Sequence, residues 1–153
     1  MNKTMAIYAG SFNPFTIGHL NIVEKARNIF ENVVVAFGTN PTKPETDSRK
    51  RSEELKSKFT AMGLDCGITV YSCFLHELIE EYEKQGYKVI LIRGLRNGDD
   101  LAYEDNQLKF IRDFKKDINV IFLRCDPEFE HISSSAVRAL ESFKPGSGKK
   151  YIP

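Results

Sequence analysis

Three clusters in this sequence combine residue types that handle phosphate. The first is Gly10-Ser11-Phe12-Asn13-Pro14-Phe15-Thr16-Ile17-Gly18-His19. Gly10 lets the backbone approach a ligand closely, Ser11 offers a hydroxyl and Pro14 stiffens the loop. Thr16 is of the type that caps a helix. Gly18 and His19 then fall in the first turn, where free N–H groups and the helix dipole favour an anion. A histidine there, neutral or charged, can donate to a phosphate oxygen. The second cluster, Arg93-Gly94-Leu95-Arg96, sets two planar cationic forks three residues apart. Such forks suit bidentate phosphate contacts. The third is Ile132-Ser133-Ser134-Ser135-Ala136-Val137-Arg138. Its serine hydroxyls and backbone N–H groups make an anion cradle at a helix N-terminus, and Arg138 lies in the second turn, able to reach back. Each cluster has an ordinary reading: a tight turn with a surface histidine, two solvated arginines, a plain serine cap. The first cluster, taken as a whole string, no longer fits its ordinary reading.

These clusters need a frame, and the hydrophobic pattern supplies one. Thr4–Ala9, Val33–Phe37, Ile68–Tyr71, Lys88–Ile92 and Ile118–Leu123 read as short apolar strands. Between them, helical spacing marks Gly18–Phe30, Ser52–Met62, a segment from Leu75 through Tyr82 ending at Gly86, and Asp99–Phe114, with Asp99 or Asp100 near its cap. A last helix covers Ser133–Phe143. Asn40–Arg51, polar with two prolines, reads as a mobile loop, and the tail after Lys144 reads as loose. Strands alternating with helices predict an α/β fold with a doubly wound, five-stranded parallel sheet, Rossmann-like, with right-handed crossovers. Ligands of such sheets bind beyond the carboxyl ends of the strands. The segments there are Gly10–His19, Asn40–Lys43, Ser72–Leu75, Arg93–Asn97 and Cys125–Ser135, and every unusual polar cluster falls in one of them.

Bulk properties narrow the function. The 153 residues suit a single domain, 1–153, with a real core. A net charge of +1 leaves no global basic field, so no nucleic-acid partner is expected. No apolar run could cross a bilayer, so no membrane association is expected. Cys66, Cys73 and Cys125 have no CxxC spacing, which argues against a disulfide framework or zinc site and for a reducing, cytoplasmic setting. Neither a GxxxxGK[ST] loop nor a GxGxxG fingerprint occurs. His76 has no ligand partner at helical spacing and reads as a surface histidine.

The first loop resembles the GxFDPxTxGH signature of the TxGH/HxGH nucleotidyltransferase superfamily, with Thr16 and His19 in the marked places and Asn13 where Asp is usual. RGLR followed by Asp100, Tyr103 and Glu104 is similar to the pantetheine-phosphate adenylyltransferase family, and ISSSxVR to the superfamily's second signature. The resemblance spans the first strand to the last helix. It implies adenylyl transfer from ATP to 4′-phosphopantetheine, giving dephospho-coenzyme A and pyrophosphate, by a homohexamer with Mg²⁺ on the triphosphate. It assigns His19 and Thr16 to the α-phosphate as the catalytic pair, His19 stabilising the transition state. Ser11, Lys43 and Arg93 would hold the attacking phosphate, and Ser72, Phe74 and Leu75 would complete the acceptor side. Arg96 with Ser133, Ser134 and Ser135 would hold the β- and γ-phosphates. Ser11, Phe12, Tyr103, Glu104 and Ile132 would complete the nucleotide side. Lys43 and Arg51 fall where that family places basic residues. The nearest rival is a nicotinate- or nicotinamide-mononucleotide adenylyltransferase, whose relatives carry HxGH. A cytidylyltransferase is disfavoured by Tyr103-Glu104. A non-catalytic nucleotide-binding protein of the same fold is disfavoured by the intact His19, Arg93, Arg96 and serines.

Overall fold

A computed structural model describes residues 3–39, 42 and 48–153. In chain order the elements are β1 (Lys3–Gly10), α1 (Ile17–Ile29), β2 (Asn32–Gly38), α2 (Ser48–Met62), β3 (Gly67–Tyr71), α3 (Leu75–Lys84), β4 (Tyr87–Leu95), α4 (Gly98–Phe114), β5 (Asn119–Arg124) and α5 (Ser134–Phe143), with 3₁₀ turns at Pro127–Phe129 and Lys149–Tyr151. The five strands lie in the order β3-β2-β1-β4-β5, and every neighbouring pair is parallel. Chain order therefore reverses between β1 and β4, which is where ligands of doubly wound sheets bind. The expected fold class is the observed one.

Alternation along β1 builds both halves of the core. Ala6 and Tyr8 face one side, where they pack with Phe12, Ile22, Val35, Phe37 and Phe59. Met5, Ile7 and Ala9 face the other, against Leu78, Ile79, Leu91, Leu108 and Ile118. A central strand with both faces covered must be apolar on both, which is why Met5–Ala9 is an unbroken buried run.

Four boundaries differ from the sequence reading. β4 runs on to Leu95, so Arg93, Gly94 and Leu95 pair with Phe122, Leu123 and Arg124 of β5. The ladder partner overrides the weak strand propensity of RGL. α4 is capped by Asn97, whose side chain accepts from Asp100 N–H at 3.0 Å, rather than by Asp99 or Asp100. α2 begins at Ser48, not Ser52, because Ser48 and Ser52 are both buried and give the helix an inward face. The rest of the expected Asn40–Arg51 loop lies outside the described residues, apart from Thr42. Finally, the tail is tied down. Glu141 accepts from the N–H groups of Gly146 (2.7 Å) and Gly148 (3.1 Å), and Ser147 Oγ donates to the Leu140 carbonyl at 2.7 Å. Gly148 is buried so tightly that a side chain there would meet Val137 at 2.9 Å.

Candidate active site

The first loop is anchored by Phe12. Its backbone takes φ +46°, in the left-handed region, and its ring is 4% exposed among Tyr8, Phe15, Phe37 and His19. The side chain expected to touch nucleotide thus lies in the core beneath the site. A side chain at Gly10 would press on that ring at 3.0 Å, so Gly10 serves the packing of Phe12. The Asn13–Pro14 peptide bond is cis.

At the start of α1, Thr16 and His19 form a reciprocal capping box. Thr16 Oγ1 accepts from His19 N–H at 3.3 Å, and His19 Nδ1 accepts from Thr16 N–H at 2.9 Å. A ring nitrogen that accepts carries no proton, so the network assigns the proton of the neutral imidazole to Nε2. Burial, then the nearby Arg96 charge, lower the His19 pKa to about 4. His19 is therefore a neutral donor at physiological pH, oriented by a Thr16 that is 1% exposed. Thr16 acts as the positioning residue of the pair.

The two arginines are placed differently from each other. Arg96 sets its fork on Asp100, Nε to Oδ2 at 2.9 Å and a terminal nitrogen to Oδ1 at 3.0 Å, and Arg96 N–H donates to the same carboxylate at 2.9 Å. Burial alone would raise the Asp100 carboxyl, but those bonds outweigh it and hold it below its ordinary value. The fork expected for phosphate is occupied by a carboxylate. Arg93, inside β4, does not leave the strand as expected: its Nε lies 3.3 Å from Glu104 Oε2, with side chains 16% and 20% exposed. Neither of these two atoms completes a hydrogen bond. Burial raises the Glu104 carboxyl, and Arg93 only partly opposes it.

The serine helix is stitched to the first loop. Ser133 caps α5, accepting from Ala136 N–H at 3.1 Å, and its hydroxyl lies 3.2 Å from that of Ser135. Ser134 Oγ donates to the Pro14 carbonyl at 2.7 Å, and Arg138 reaches back to the Asn13 carbonyl. Arg138 thus holds the loop, and Ser134's hydroxyl is bonded to protein. On the far wall, Asn21 exchanges two 2.9 Å bonds with Asp126, and Lys25 pairs with Asp126 at 2.7 Å, clipping α1 to the segment after β5.

These elements enclose a cavity of about 230 Å³ over the carboxyl ends of β1, β4 and β5. Thr16, His19, Arg96, Tyr103, Glu104, Ile132, Ser133 and Ser134 line it, as expected of the nucleotide side. The acceptor-side residues do not. Ser11 is exposed, its carbonyl accepting from Arg51 at 3.0 Å. Arg93 stands behind Glu104, and Phe12 and Ser135 are outside the lining. Ser72 is exposed, Leu75 packs on the second core cluster, and Phe74, 63% exposed, stacks on Phe114 at 5.5 Å. His76, read as a surface histidine, lies parallel to Phe114 at 5.0 Å, half-buried. Lys43 lies outside the described residues.

Tyr8, Ile22, Gly94, Cys125 and Phe129 also line the cavity; Gly94, Cys125 and Phe129 fall in strand-end segments the sequence marked, but none of the five was given a site role. Gly94 is explained by the other two neighbours: a side chain there would meet Ile22 and Tyr8 Oη at 3.1 Å. Strand parity could have found Tyr8, because it shares a face of β1 with Gly10. Cys125 opens the marked segment Cys125–Ser135, but nothing in its residue type gave it a role. All three cysteines are free thiols. Among the described residues no His, Cys, Asp and Glu group of three or more could hold a metal ion, and no helix is long and apolar enough to cross a membrane.

Comparison with known proteins agrees with this architecture. The model of the cytidylyltransferase-like family matches residues 7–140. The phosphopantetheine adenylyltransferase of Porphyromonas gingivalis is 36% identical over 143 residues, covering 94% of this chain and 90% of its own. The Buchnera aphidicola protein of the same name is 35% identical over 153 residues, covering all of this chain and 90% of its own. A bifunctional NMN adenylyltransferase/ADP ribose pyrophosphatase from Francisella tularensis, solved with AMP and a manganese ion, shares the fold at TM-score 0.67 and 18% identity, over 99% of this chain and 44% of its own. The chain therefore belongs to the cytidylyltransferase-like family, with phosphopantetheine adenylyltransferases among its relatives over almost the full length of both.

Proposed function

We propose that this protein transfers the adenylyl group of ATP to 4′-phosphopantetheine, releasing pyrophosphate and forming dephospho-coenzyme A. The observation that carries this is His19: a neutral imidazole with its proton on Nε2, held by Thr16 beside a cavity walled by the Arg96 and Ser133–Ser134 segments. The choice of acceptor rests on the relatives' activity.

An oxygen of the acceptor phosphate attacks the α-phosphorus, and the bond from that phosphorus to the pyrophosphate oxygen breaks. A phosphate dianion is a competent nucleophile near neutral pH, so no general base is needed. The protein's contribution would be positioning and charge stabilisation. His19 Nε2–H would donate to a non-bridging α-phosphate oxygen, tightening as charge develops there. The opening turn of α5, with Ser133 and Ser135, would hold the outgoing phosphates, and one terminal nitrogen of Arg96 is not used on Asp100. Ser11, Lys43, Arg93, Ser72, Phe74 and Leu75 would form the acceptor side. Mg²⁺ would supply charge neutralisation on the triphosphate. Because Asp100 and Glu104 each face an arginine, the ion would be held through phosphate oxygens and water.

The reading extends to one domain, a cytoplasmic location and a homohexamer. An apolar stripe on α4 supports self-association: Tyr103, Phe110 and Phe114, at 65%, 62% and 63% exposure, share one helical face. The test of function is pyrophosphate release from ATP with phosphopantetheine, nicotinate mononucleotide or nicotinamide mononucleotide offered in turn. Release only with phosphopantetheine is expected. Release only with a mononucleotide would transfer the enzyme to the rival branch, which shares its fold with the Francisella neighbour.

A further inference from the structure

The segment after β5 is hung on α1 by polar contacts that the packing of the two elements does not require. α1 is already seated in the core through Ile22, Val23 and Ala26, all buried. β5 is already paired with β4, and Cys125 N–H continues that ladder by donating to the Leu95 carbonyl at 2.8 Å. Beyond Cys125 the backbone bonds are local. Phe129 N–H donates to the Asp126 carbonyl at 2.9 Å, and Ile132 N–H to the Phe129 carbonyl at 3.0 Å. The bonds across to α1 gather at the start of the segment. Asn21 donates to the Asp126 carboxylate and accepts from Asp126 N–H, both at 2.9 Å. Lys25 pairs with the same carboxylate at 2.7 Å and donates to the Arg124 carbonyl at 2.6 Å.

Exposure ranks these contacts. The Lys25 and Asp126 side chains are 33% and 46% exposed, and an ion pair open to water contributes little. Asn21 is 8% exposed, with both ends of its amide spent on Asp126. Hydrogen bonds are directional where apolar burial is not, so a buried exchange of two bonds fixes a spacing that packing leaves loose. What it fixes is a wall of the cavity. Cys125, Phe129 and Ile132 on this segment line it, as do Gly18, His19 and Ile22 on α1. The two elements meet closely there. A side chain at Gly18 would lie 3.7 Å from the Ile132 carbonyl oxygen and 3.8 Å from Phe129 Cβ.

We propose that Asn21, with Asp126 as its partner, is a positioning residue for ATP: their exchange of hydrogen bonds sets the gap between His19 on α1 and the wall that leads into the Ser133 cap of α5. Neither residue is in the cavity lining, so both act through the wall. The inference rests on the adenylyl-transfer reading above and adds to it a pair 105 positions apart, outside the phosphate-handling residues of the three clusters. None of the residues assigned to the acceptor side lies on α1 or on this segment. The effect of the pair therefore falls on ATP and not on phosphopantetheine.

Pyrophosphate-release kinetics with each substrate varied, calorimetric ATP binding and melting curves test it on wild type, Asn21→Asp, Asp126→Ala and the exchanged pair Asn21→Asp/Asp126→Asn. Asn21→Asp sets a second carboxylate against Asp126 and should raise KM for ATP by roughly 10-fold. KM for phosphopantetheine should stay within about 2-fold, since its residues share no partner with the pair. Asp126→Ala removes the acceptor at a half-exposed position without burying a charge, and should raise KM for ATP by about 3- to 10-fold. The exchanged pair reverses the side-chain bond, keeps an acceptor for the backbone donor, and leaves Lys25 an anion four residues back on its own helix. It should return KM for ATP to within about 3-fold of wild type. A merely structural clip would lower Tm and the active fraction, and so kcat, without moving either KM, and that result would overturn the positioning role. So would a rise shared equally by both substrates, or an exchanged pair that regains its Tm but not its KM for ATP. Wild type that neither binds ATP nor releases pyrophosphate from it would overturn adenylyl transfer itself, and the positioning role with it.

Discussion

The nucleotide side and the acceptor side of this protein are built to different degrees. On the nucleotide side, His19, Arg96, Glu104, Ile132 and Ser133 already converge on one cavity, each fixed by a cap, an ion pair or the core. On the acceptor side, Ser11 is exposed, Arg93 is turned to Glu104, and Phe74 stacks on an outer aromatic cluster. The difference follows from the local structure. Helix N-termini and capping boxes close within three or four residues, so their geometry is set by the sequence nearby. A site gathered from three separate strand ends has no such local closure.

The sharpest way to break this comparison is to remove the donor that the nucleotide side orients. His19→Ala should lower kcat by about 100- to 1,000-fold, on the scale of losing a preorganised oxyanion donor, while ATP binding persists. Rapid-mix kinetics alongside calorimetry separates the two effects. Wild-type turnover in this variant would remove His19 from the mechanism.

The arginines test whether the two sides are functionally distinct. Arg93→Ala should chiefly raise KM for phosphopantetheine, and Arg96→Ala should chiefly weaken ATP. Each should cost roughly 2–4 kcal/mol of transition-state stabilisation. Lysine at position 96 should rescue only partly, because a point charge cannot reproduce the fork that Arg96 sets on Asp100. Equal shifts of both KM values in both variants would dissolve the distinction.

A pH titration sharpens the nucleotide side further. His19 is held neutral, with a folded pKa of about 4 against an ordinary 6.5. The unfolded chain thus takes up a proton first as pH falls, so His19's share of stability is complete above about pH 6.5 and is lost between there and about pH 4. NMR of the imidazole should show His19 titrating near 4. A midpoint near 6.5 would show that neither burial nor Arg96 controls it.

How much of this was legible in the sequence depends on where each signal was stored. The strands, the sheet and the nucleotide-side residues were readable because apolar period and cap chemistry are local. Arg93 was misread because β4 continues through it, an outcome decided by the ladder partner on β5 rather than by RGL itself. The cap of α4 went to Asn97, whose amide reaches the free N–H of Asp100. Tyr8 drew no reading beyond its place in the first strand, because only the approach of β4 and α1 turns its hydroxyl into a cavity wall. The tail read as loose because the residue that ties it, Glu141, lies earlier, on α5.

The smallest expected effects divide the three serines that sequence alone assigned to one task. Ser134 Oγ is 2.7 Å from the Pro14 carbonyl, so its hydrogen is committed to holding the first loop against α5. Ser134→Ala should cost about 1 kcal/mol of stability, or roughly 2–4 °C in Tm for a chain of this size, with little change in KM for ATP. Ser133 both caps α5 and lines the cavity. Ser133→Ala should cost about 1 kcal/mol of stability and weaken ATP as well. Among the described residues the Ser135 hydroxyl bonds only to Ser133 Oγ, on an exposed face of the first turn. Its loss should leave Tm nearly unchanged and act on ATP or pyrophosphate affinity alone. Thermal melts and initial-rate kinetics of the three alanine variants read both axes. If all three shifted ATP affinity alike with no difference in Tm, the serines would be one undivided anion cradle, and the stitch from Ser134 to Pro14 would carry no weight in the fold.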